Sequence, residues 1–458
     1  MRARHLGMDL TPLRTCRDFR LVFVGSGVSS LGSFITYITI PFQVAELTDS
    51  PVMVGLLGLV ELVPLLFMAF IGGALADFLD RRRLIIYGEL AFTLLTAVLL
   101  VNAQRDEPHL WVLFVVAGVT TAIDGIQRPA MDSIIPRLVP PEQLAAAGAL
   151  NSARMNIASL GGPALAGVLL ASVGSTWIYA IDLATFAVSL ACLAFVRAVP
   201  PPPAAERPSL RSVVTGLRYA KSRPELLGTY LVDINAMFFG MPQALYPFVA
   251  KNLGGPAVLG LLYAAPSAGA LLATLTSRWT GRVHRHGLMV VLAAAAWGLA
   301  IVGFGVAAFG PDALTLGLLG DRDGYSGILW LALLFLVLAG AADMISGVFR
   351  SVIWNQTIPD RLRGRLAGIE MLSYSIGPTL GNVESGVAAR FAGTGGSIVL
   401  GGVLCVLGTG ALAAALPAFV RYDGREGLAR KIAEDEAWAA RVAGNALPET
   451  PAVTFTAT

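Results

Sequence analysis

Carboxylate side chains stand in the middle of apolar stretches of this chain, where an ionisable group can do chemistry. Glu61, Asp182 and Asp233 each lie deep in such a stretch and have no basic residue one helical turn away. An ionisable group in a low-dielectric environment is costly and commonly marks a path for ions or protons. We therefore predict that these three carboxyls are candidates for proton coupling. The alternative is a carboxyl that is hydrogen-bonded to the backbone or to another polar residue.

Other intramembrane charges come in pairs. Asp124 and Arg128 are four residues apart, which places them on one face of a helix. Asp343 precedes Arg350 by one to two turns at the matching place in the second half of the chain. Because both pairs lie toward one end of their stretches, they suit a gate better than a binding site. The alternative is an internal ion pair that only locks the helix.

Polar and aromatic residues also occur together in the second half of the chain. Such surfaces suit a large, planar or amphipathic ligand. The alternative is that the aromatic rings face lipid or pack between helices. The predicted substrate-binding residues are Asn235, Phe238, Phe239, Trp297 and Glu370.

Catalysis, metal binding and ATP binding have no support in the sequence. No histidine lies in the middle of an apolar stretch, and no Ser-His-Asp order or metal-spaced cluster occurs. None of the three lysines follows a glycine, so a phosphate-binding loop is missing. We expect a protein that is not an enzyme, has no cofactor and draws energy from an ion gradient or from a partner ATPase.

The elements that carry these residues are long apolar stretches. Hydrophobic residues make up 55% of the chain, charged residues only 14%, and the mean hydropathy is +0.69. A stretch of about 20 apolar residues crosses a bilayer as a helix. We predict an all-α integral membrane protein with twelve transmembrane helices, near 19–45, 51–76, 84–103, 110–134, 143–171, 175–197, 226–250, 256–279, 287–309, 327–349, 365–391 and 396–420.

The positions of the arginines predict the orientation. Arg81, Arg82 and Arg83 stand in one set of loops, together with most of the other basic residues, whereas the opposite loops hold few. The positive-inside rule then places both termini in the cytoplasm of a multi-pass protein of the inner, or plasma, membrane. The net charge of +3 is a topology signal, and it gives no indication of nucleic-acid binding.

The two halves of the chain repeat each other at offsets of 205 to 218 residues. Pro51-x-x-x-Gly-Leu-Leu recurs from Pro256, and Gly162-Pro163 recurs as Gly377-Pro378. A duplicated six-helix unit is typical of transporters whose substrate site lies between the halves near the middle of the membrane. We predict an N-terminal bundle over 1–198, a linker over 199–224, a C-terminal bundle over 225–420 and a cytoplasmic tail over 421–458.

The most specific motif lies between the second and third predicted spans, from Gly73 to Arg83. A glycine is followed by Asp77 and then by the basic cluster that begins with Arg81 and Arg82. This arrangement resembles the loop signature of the major facilitator superfamily. The chain departs from the usual pattern at Phe78 and Asp80. The resemblance implies two pseudo-symmetric six-helix bundles and a conformational latch formed by Gly73, Asp77, Arg81, Arg82, Asp124 and Arg128; the alternative is an ordinary basic loop.

Further motifs narrow the resemblance from about residue 11 to residue 420. Leu13-Arg14-x-x-x-Asp18-Phe19-Arg20 and Pro141-Glu142-Gln143-Leu144 look like the branch that contains the enterobactin exporter and the macrolide-efflux proteins. Gly162-Pro163 in the fifth span resembles the motif of the superfamily's antiporters, which favours export.

The resemblance implies a secondary active transporter that works by alternating access. Its expected cargo is a siderophore or an amphipathic drug-like small molecule, and its other expected partners are protons and the lipid bilayer. We expect it to be a monomer. The alternatives are an importer or lipid transporter of the same fold, or a membrane sensor that transports nothing.

The latch gives the first prediction. Replacing Asp77 by Asn removes the charge that pairs with Arg81 one turn further along, so we expect transport to fall by roughly tenfold or more. Membrane insertion should remain intact, because no apolar residue changes. Efflux assays and membrane immunoblots of the variant measure the two effects. Efflux at the wild-type rate would remove Asp77 from the mechanism.

Overall fold

The computed structural model describes residues 9–78, 80–199, 218–309, 325–359 and 362–442. Within these ranges only the backbone is described at 69–78, 325–326, 363–365, 367–374 and 439–442. The described chain is almost entirely helical, as expected for a segment in lipid, where the backbone must satisfy its own hydrogen bonds. An all-α membrane protein is therefore confirmed.

Six long helices form the N-terminal half. They follow a short helix at Thr11–Thr15 and run as α1 Arg17–Thr48, α2 Pro51–Phe78, α3 Arg81–Ala103, α4 Leu110–Leu138, α5 Leu144–Ser172 and α6 Gly174–Ala194. Proline stands inside four of them, at Pro41, Pro64, Pro129, Pro136 and Pro163. Long membrane helices tolerate these prolines because neighbouring helices and local adjustment satisfy the freed carbonyls.

The C-terminal half has the same kind of helices but two less regular spans. Its helices are α7 Pro224–Gly240, α8 Pro256–Leu275, α9 His286–Phe309, α10 Tyr325–Thr357 and α11 Arg363–Ala415, followed by a short helix at Pro417–Val420 and the tail helix α12 Gly424–Val442. A second segment, Tyr246–Leu253, continues the seventh predicted span after a 3-10 turn at Gln243–Leu245.

Ten of the described helices are long and apolar enough to cross a membrane. The seventh predicted span is missing from that number because it breaks after Gly240, where Pro242 cannot continue the helix. Asn382 accepts a hydrogen bond from the Ala244 amide at 3.0 Å and satisfies the broken backbone. The eleventh and twelfth predicted spans run together as α11, which is interrupted at Gly393, where φ is 73°. Only glycine adopts that conformation readily.

Small residues let the helices of the N-terminal half approach closely. Helix α1 packs on α5 and α6, and α3 packs on α4 and α6. A Cβ atom at Gly25 would lie 2.9 Å from the Cβ of Cys192, so glycine is needed where α1 meets α6. Such contacts between small residues are the usual means of helix association in membranes.

Most contacts between the two halves are made by two pairs of helices, α2 with α11 and α5 with α8, and the segment Tyr246–Leu253 also packs on α1. A Cβ atom at Gly55 would lie 2.6 Å from the Asn382 carbonyl oxygen, and one at Gly260 would lie 2.5 Å from the Pro163 carbonyl oxygen. Asp49 and Lys251 form an exposed ion pair at 2.9 Å between the halves. These contacts lie toward the end of the bundle that carries Asp49 and Lys251 and whose loops hold few arginines. We name this end the arginine-poor face.

The opposite end, the arginine-rich face, carries Arg81–Arg83 and the tail helix. Helix α12 docks on the C-terminal half, because Glu434 pairs with Arg223 and Arg430 lies 3.4 Å from Glu225 at the start of α7. Tyr422 and Thr357 share a hydrogen bond of 3.1 Å at the end of α10. The tail therefore belongs to the C-terminal half and leaves the N-terminal half free to move relative to it.

Candidate functional site

The predicted latch is only partly visible. Only the backbone is described at Gly73 and Asp77, so the Asp77 carboxylate cannot be placed. Arg82 donates hydrogen bonds to the carbonyls of Leu193 at 3.0 Å and Ala194 at 2.8 Å, so it ties the loop to the carboxyl end of α6. A cation is favourable there because the last carbonyls of a helix carry partial negative charge. Arg81 is buried, and its Nε and Nη1 atoms form no hydrogen bond with a described residue.

Helix α4 presents a row of charges on one face. Asp124, Arg128 and Asp132 follow at intervals of four residues, and all three side chains are exposed. The opposite face of α4 is buried, and Gln127 there donates to the Ile85 carbonyl of α3 at 3.1 Å. A charged face within a membrane-spanning helix requires water, so this face borders a hydrated space between the halves.

Arg128 holds the row together electrostatically. It interacts with both Asp124 and Asp132, and Asp132 also interacts with Arg154 of α5. No salt bridge within 4.0 Å joins Asp124 to Arg128 among the described side chains, so a locked internal pair is not what the structure shows. The charges are free to meet a ligand or to change partners.

Arg154 is oriented by neighbours that the sequence did not single out. It donates to Asn151 Oδ1 at 2.8 Å and to Ser30 Oγ of α1 at 3.1 Å. The Arg154 side chain is half-buried, and its aliphatic stem lies against Gly27. Arg154 thus extends the charged surface from α4 across α5 to α1.

The charges of the C-terminal half are arranged differently. Asp233 of α7 forms a buried ion pair with Arg350 of α10, which corrects the prediction that Asp233 is unpaired. Arg350 also lies 3.7 Å from Asp343, whose side chain is 43% exposed. The partner of Asp233 comes from another helix, so the spacing within α7 could not reveal it. One arginine therefore connects a buried carboxylate to an exposed one.

Glu61 of α2 faces a group of tyrosines from both halves. It interacts electrostatically with Tyr37 of α1 and with Tyr263 of α8. The Tyr263 ring packs edge-on against Tyr246, with 5.0 Å between the ring centroids. Tyr37 is 47% exposed, so this tyrosine–carboxyl group borders the space between the halves. The sequence analysis had not selected these tyrosines.

Asp182 lies inside the N-terminal half, away from that space. It is 1% exposed and accepts hydrogen bonds from Thr36 at 2.5 Å and Thr185 at 3.2 Å. The contacts of Asp182 thus match the alternative of a carboxyl that is hydrogen-bonded to another polar residue. A second buried carboxyl, Glu89 of α3, accepts a hydrogen bond from Ser29 at 3.1 Å. The sequence analysis missed Glu89, although an acidic residue inside an apolar span was the signal to look for.

Two of the predicted substrate-binding residues make contacts within the C-terminal half. Asn235 donates to the Cys405 carbonyl at 3.0 Å and to Thr409 at 3.2 Å, so it joins α7 to the second part of α11. Trp297 is buried against Gly240 and the hydrophobic core of the C-terminal half. Both side chains thus serve packing within one half and do not border the space between the halves.

The other predicted substrate-binding residues have fewer described contacts. Phe239 packs against the same core, and Phe238 meets it edge-on with 4.8 Å between the ring centroids. The side chain of Glu370 lies outside the described residues. Tyr37 and the charges of α4 are exposed, and Glu61 and Arg154 are partly buried, so we assign these residues to the surface that borders the space between the halves.

Two helical halves with a charged, hydrated space between them define a multi-pass membrane transporter. Residues 8–424 match the family described as transmembrane secretion effector, and the chain belongs to that family. The predicted membership of the major facilitator superfamily, on the enterobactin-exporter branch, is confirmed.

Similar proteins agree with this assignment. The enterobactin exporter EntS of Citrobacter koseri is 27% identical over 403 residues, which cover 88% of this chain and 92% of that protein. Its counterpart in Shigella boydii serotype 18 is 26% identical and covers 87% and 94%. The nucleoside transporter NupG has a similar structure, with a TM-score of 0.62 and 16% identity over 89% of this chain and 99% of that one.

The buried ion pair gives the second prediction. Asp233→Asn leaves the Arg350 guanidinium buried without its main partner, which typically costs about 3–5 kcal/mol. We expect a clear drop in the thermal unfolding temperature of the detergent-solubilised protein. The double variant Asp233→Asn with Arg350→Met should recover most of the loss, because no charge then remains unpaired.

Asp343→Asn is the matched control for this experiment. It removes a carboxylate that is half-exposed and further from Arg350, so its effect should be much smaller. Equal destabilisation by Asp233→Asn and Asp343→Asn would show that Arg350 does not depend on Asp233.

Proposed function

We propose that this protein exports a siderophore or a similar amphipathic small molecule in exchange for protons, by alternating access of its two halves. The observation that carries this proposal is the row of exposed charges on the membrane-spanning helix α4, formed by Asp124, Arg128 and Asp132. The close contacts of α2 with α11 and of α5 with α8 support closure at the arginine-poor face. The names of the similar enterobactin exporters support export and a siderophore as cargo.

The orientation supports the loading step of an exporter. The positive-inside rule places the arginine-rich face in the cytoplasm, with both termini. The contacts between α5 and α8 and between α2 and α11 then close the outer side of the membrane. A cavity closed outside and hydrated along α4 is the state that takes up cargo from the cytoplasm.

The closure is built so that it can open. Gly55, Gly167 and Gly260 bring backbones together with few interlocking side chains, and Asp49 and Lys251 form an exposed ion pair. Exposed ion pairs contribute only about 0–1 kcal/mol. The two halves, over 1–198 and 225–420, would rock about this contact, while the loop of Asp77 and Arg81 closes the cytoplasmic side in the opposite state.

The chemistry of the cavity indicates the kind of cargo. Arg128 and Arg154 offer guanidinium groups that bind anionic oxygens. Tyr37 and Tyr263 offer aromatic faces and hydroxyls to planar groups. A ligand that combines aromatic rings with acidic oxygens, as a siderophore can, fits this surface. An amphipathic drug-like compound would use the tyrosines but fewer of the arginines.

Glu61 is the strongest candidate for coupling transport to protons. It lies beside the tyrosines of both halves, and no described basic side chain lies within 4.0 Å of it. Protonation of Glu61 would therefore remove a negative charge at the contact between the halves. Asp233 is a weaker candidate, because Arg350 must leave it before it can take up a proton.

The third prediction tests both export and coupling. In everted membrane vesicles, export appears as uptake of labelled siderophore, and collapsing the pH gradient with nigericin should abolish it. Glu61→Gln should lower the gradient-driven uptake by roughly tenfold, because the coupling proton has no acceptor. Glu46→Gln, at the exposed outer end of α1, is the matched control and should transport normally.

Uptake that continues at full rate without the pH gradient would contradict proton coupling. Uptake into right-side-out vesicles and none into everted ones would support the importer alternative. Movement of labelled phospholipid without movement of siderophore would support a lipid transporter, and no movement of either would support a sensor.

A further inference from the structure

A ladder of polar side chains runs through the interior of the N-terminal half. Its members are spaced seven residues apart on each helix, which is two turns or about 10.5 Å. The spacing places them on one face of each helix, so that three helices meet at successive levels. The polar ladder consists of Ser29, Thr36 and Gln43 on α1, Glu89 and Thr96 on α3, and Ser175, Asp182 and Ser189 on α6.

The level nearest the arginine-rich face contains Glu89. Ser29 donates to both carboxyl oxygens of Glu89, at 3.1 and 3.3 Å. Ser189 also lies beside Glu89, is 1% exposed, and its hydroxyl has no partner in hydrogen-bond geometry. Gln127 of α4 also lies beside Glu89, so this carboxyl faces two hydroxyls and one amide.

The middle level contains Asp182. Thr36 donates to its Oδ2 atom at 2.5 Å, and Thr96 donates to the same atom at 3.4 Å. Above it, Gln43 donates to Ser175 at 3.1 Å and accepts from Tyr179 at 2.8 Å. Within each level, side chains of neighbouring helices are thus joined by direct hydrogen bonds. The ladder extends toward the arginine-poor face.

The fold itself does not require these polar residues. At the repeat offset of 205 residues, Ala294 and Ile301 of α9 stand where Glu89 and Thr96 stand in α3. Cys405 of α11 contacts the Ala294 carbonyl at 3.7 Å, in the place of Ser189. All three belong to the hydrophobic core of the C-terminal half. The same helix contacts are therefore built from apolar residues in one half and from carboxyls in the other.

Among the described side chains, no cation balances the two carboxyls. No described basic side chain lies within 4.0 Å of Glu89 or Asp182, and the titratable groups that face them are each other and Tyr179. An unpaired carboxylate in a dry bundle is costly, so the group that fits here is a proton. A metal ion does not fit Asp182, because the threonine hydroxyls bond directly to the carboxylate.

We propose that Glu89 and Asp182 are two proton-binding sites inside the N-terminal half, apart from the cavity between the halves. Each carboxylate takes up one proton at a carboxyl oxygen and releases it again, and the neighbouring hydroxyls bind either form. This inference deepens the proposed proton-coupled export, on which it rests, by adding Glu89 and by placing two proton sites away from the cargo surface that Glu61 borders.

The test reads the carboxyls directly and needs no cargo. Infrared difference spectra of the full-length protein in lipid nanodiscs are recorded between about pH 5 and about pH 9, where perturbed carboxyls titrate. We expect carboxylic-acid bands that disappear as the pH rises. Glu89→Gln should remove one band, Asp182→Asn another, and the conservative Glu89→Asp should restore a titrating band. The control Glu142→Gln, exposed at the surface, should leave all of them unchanged.

A second measurement uses the unmutated protein, in case a variant does not fold. Glutamate labelled with carbon-13 in its side chain shifts the Glu89 band and leaves the Asp182 band in place. No titrating aspartate band, or loss of neither band in the variants, would overturn the proposal. If the bands titrate but export does not depend on the pH gradient, the two proton-binding sites stand and the proposed coupling is rejected. Failure of this inference is therefore distinguishable from failure of the proposed function.

Discussion

A charge inside a bilayer must be paired, hydrated or neutralised, and this constraint organises the protein. The structure uses a different solution in each place. Asp233 is paired with Arg350 inside the C-terminal half. Asp124, Arg128 and Asp132 lie on an exposed helix face, where water can reach them. Glu89 and Asp182 are surrounded by hydroxyl groups, with the Gln127 amide also beside Glu89, and we explain their burial by protonation.

The two halves use these three solutions differently. The paired charges of the C-terminal half keep α7 and α10 together, and the tail helix adds further ion pairs at the arginine-rich face. The N-terminal half carries the unpaired carboxyls and borders the cavity with its charged helix α4. In this account cargo binds between the halves, and protons bind at Glu61 beside that space and at Glu89 and Asp182 inside the N-terminal half. Small-residue contacts such as Gly167 with Gly260 allow the halves to move.

The sequence predicted the helices and the family well, because apolar length and loop charge are properties of single segments. It could not predict which way a helix faces. Asn235 and Trp297 turned inward to pack within one half, and the partner of Asp233 came from a helix more than 100 residues away. Glu89 was not among the predicted sites, because it stands only eight residues after Arg81 and the span was recognised by the apolar residues in its middle. The seven-residue ladder becomes apparent only when α1, α3 and α6 are placed side by side.

The central claim is that the intramembrane carboxyls differ in their access to water, and thiol labelling tests it most directly. Single cysteines replace the carboxyls in a background without Cys16, Cys192 and Cys405, and a membrane-impermeant maleimide is added to everted vesicles. The account predicts rapid labelling of Asp124→Cys and Asp132→Cys, and no labelling of Asp182→Cys until the protein is denatured. Equal labelling at all three positions would contradict it.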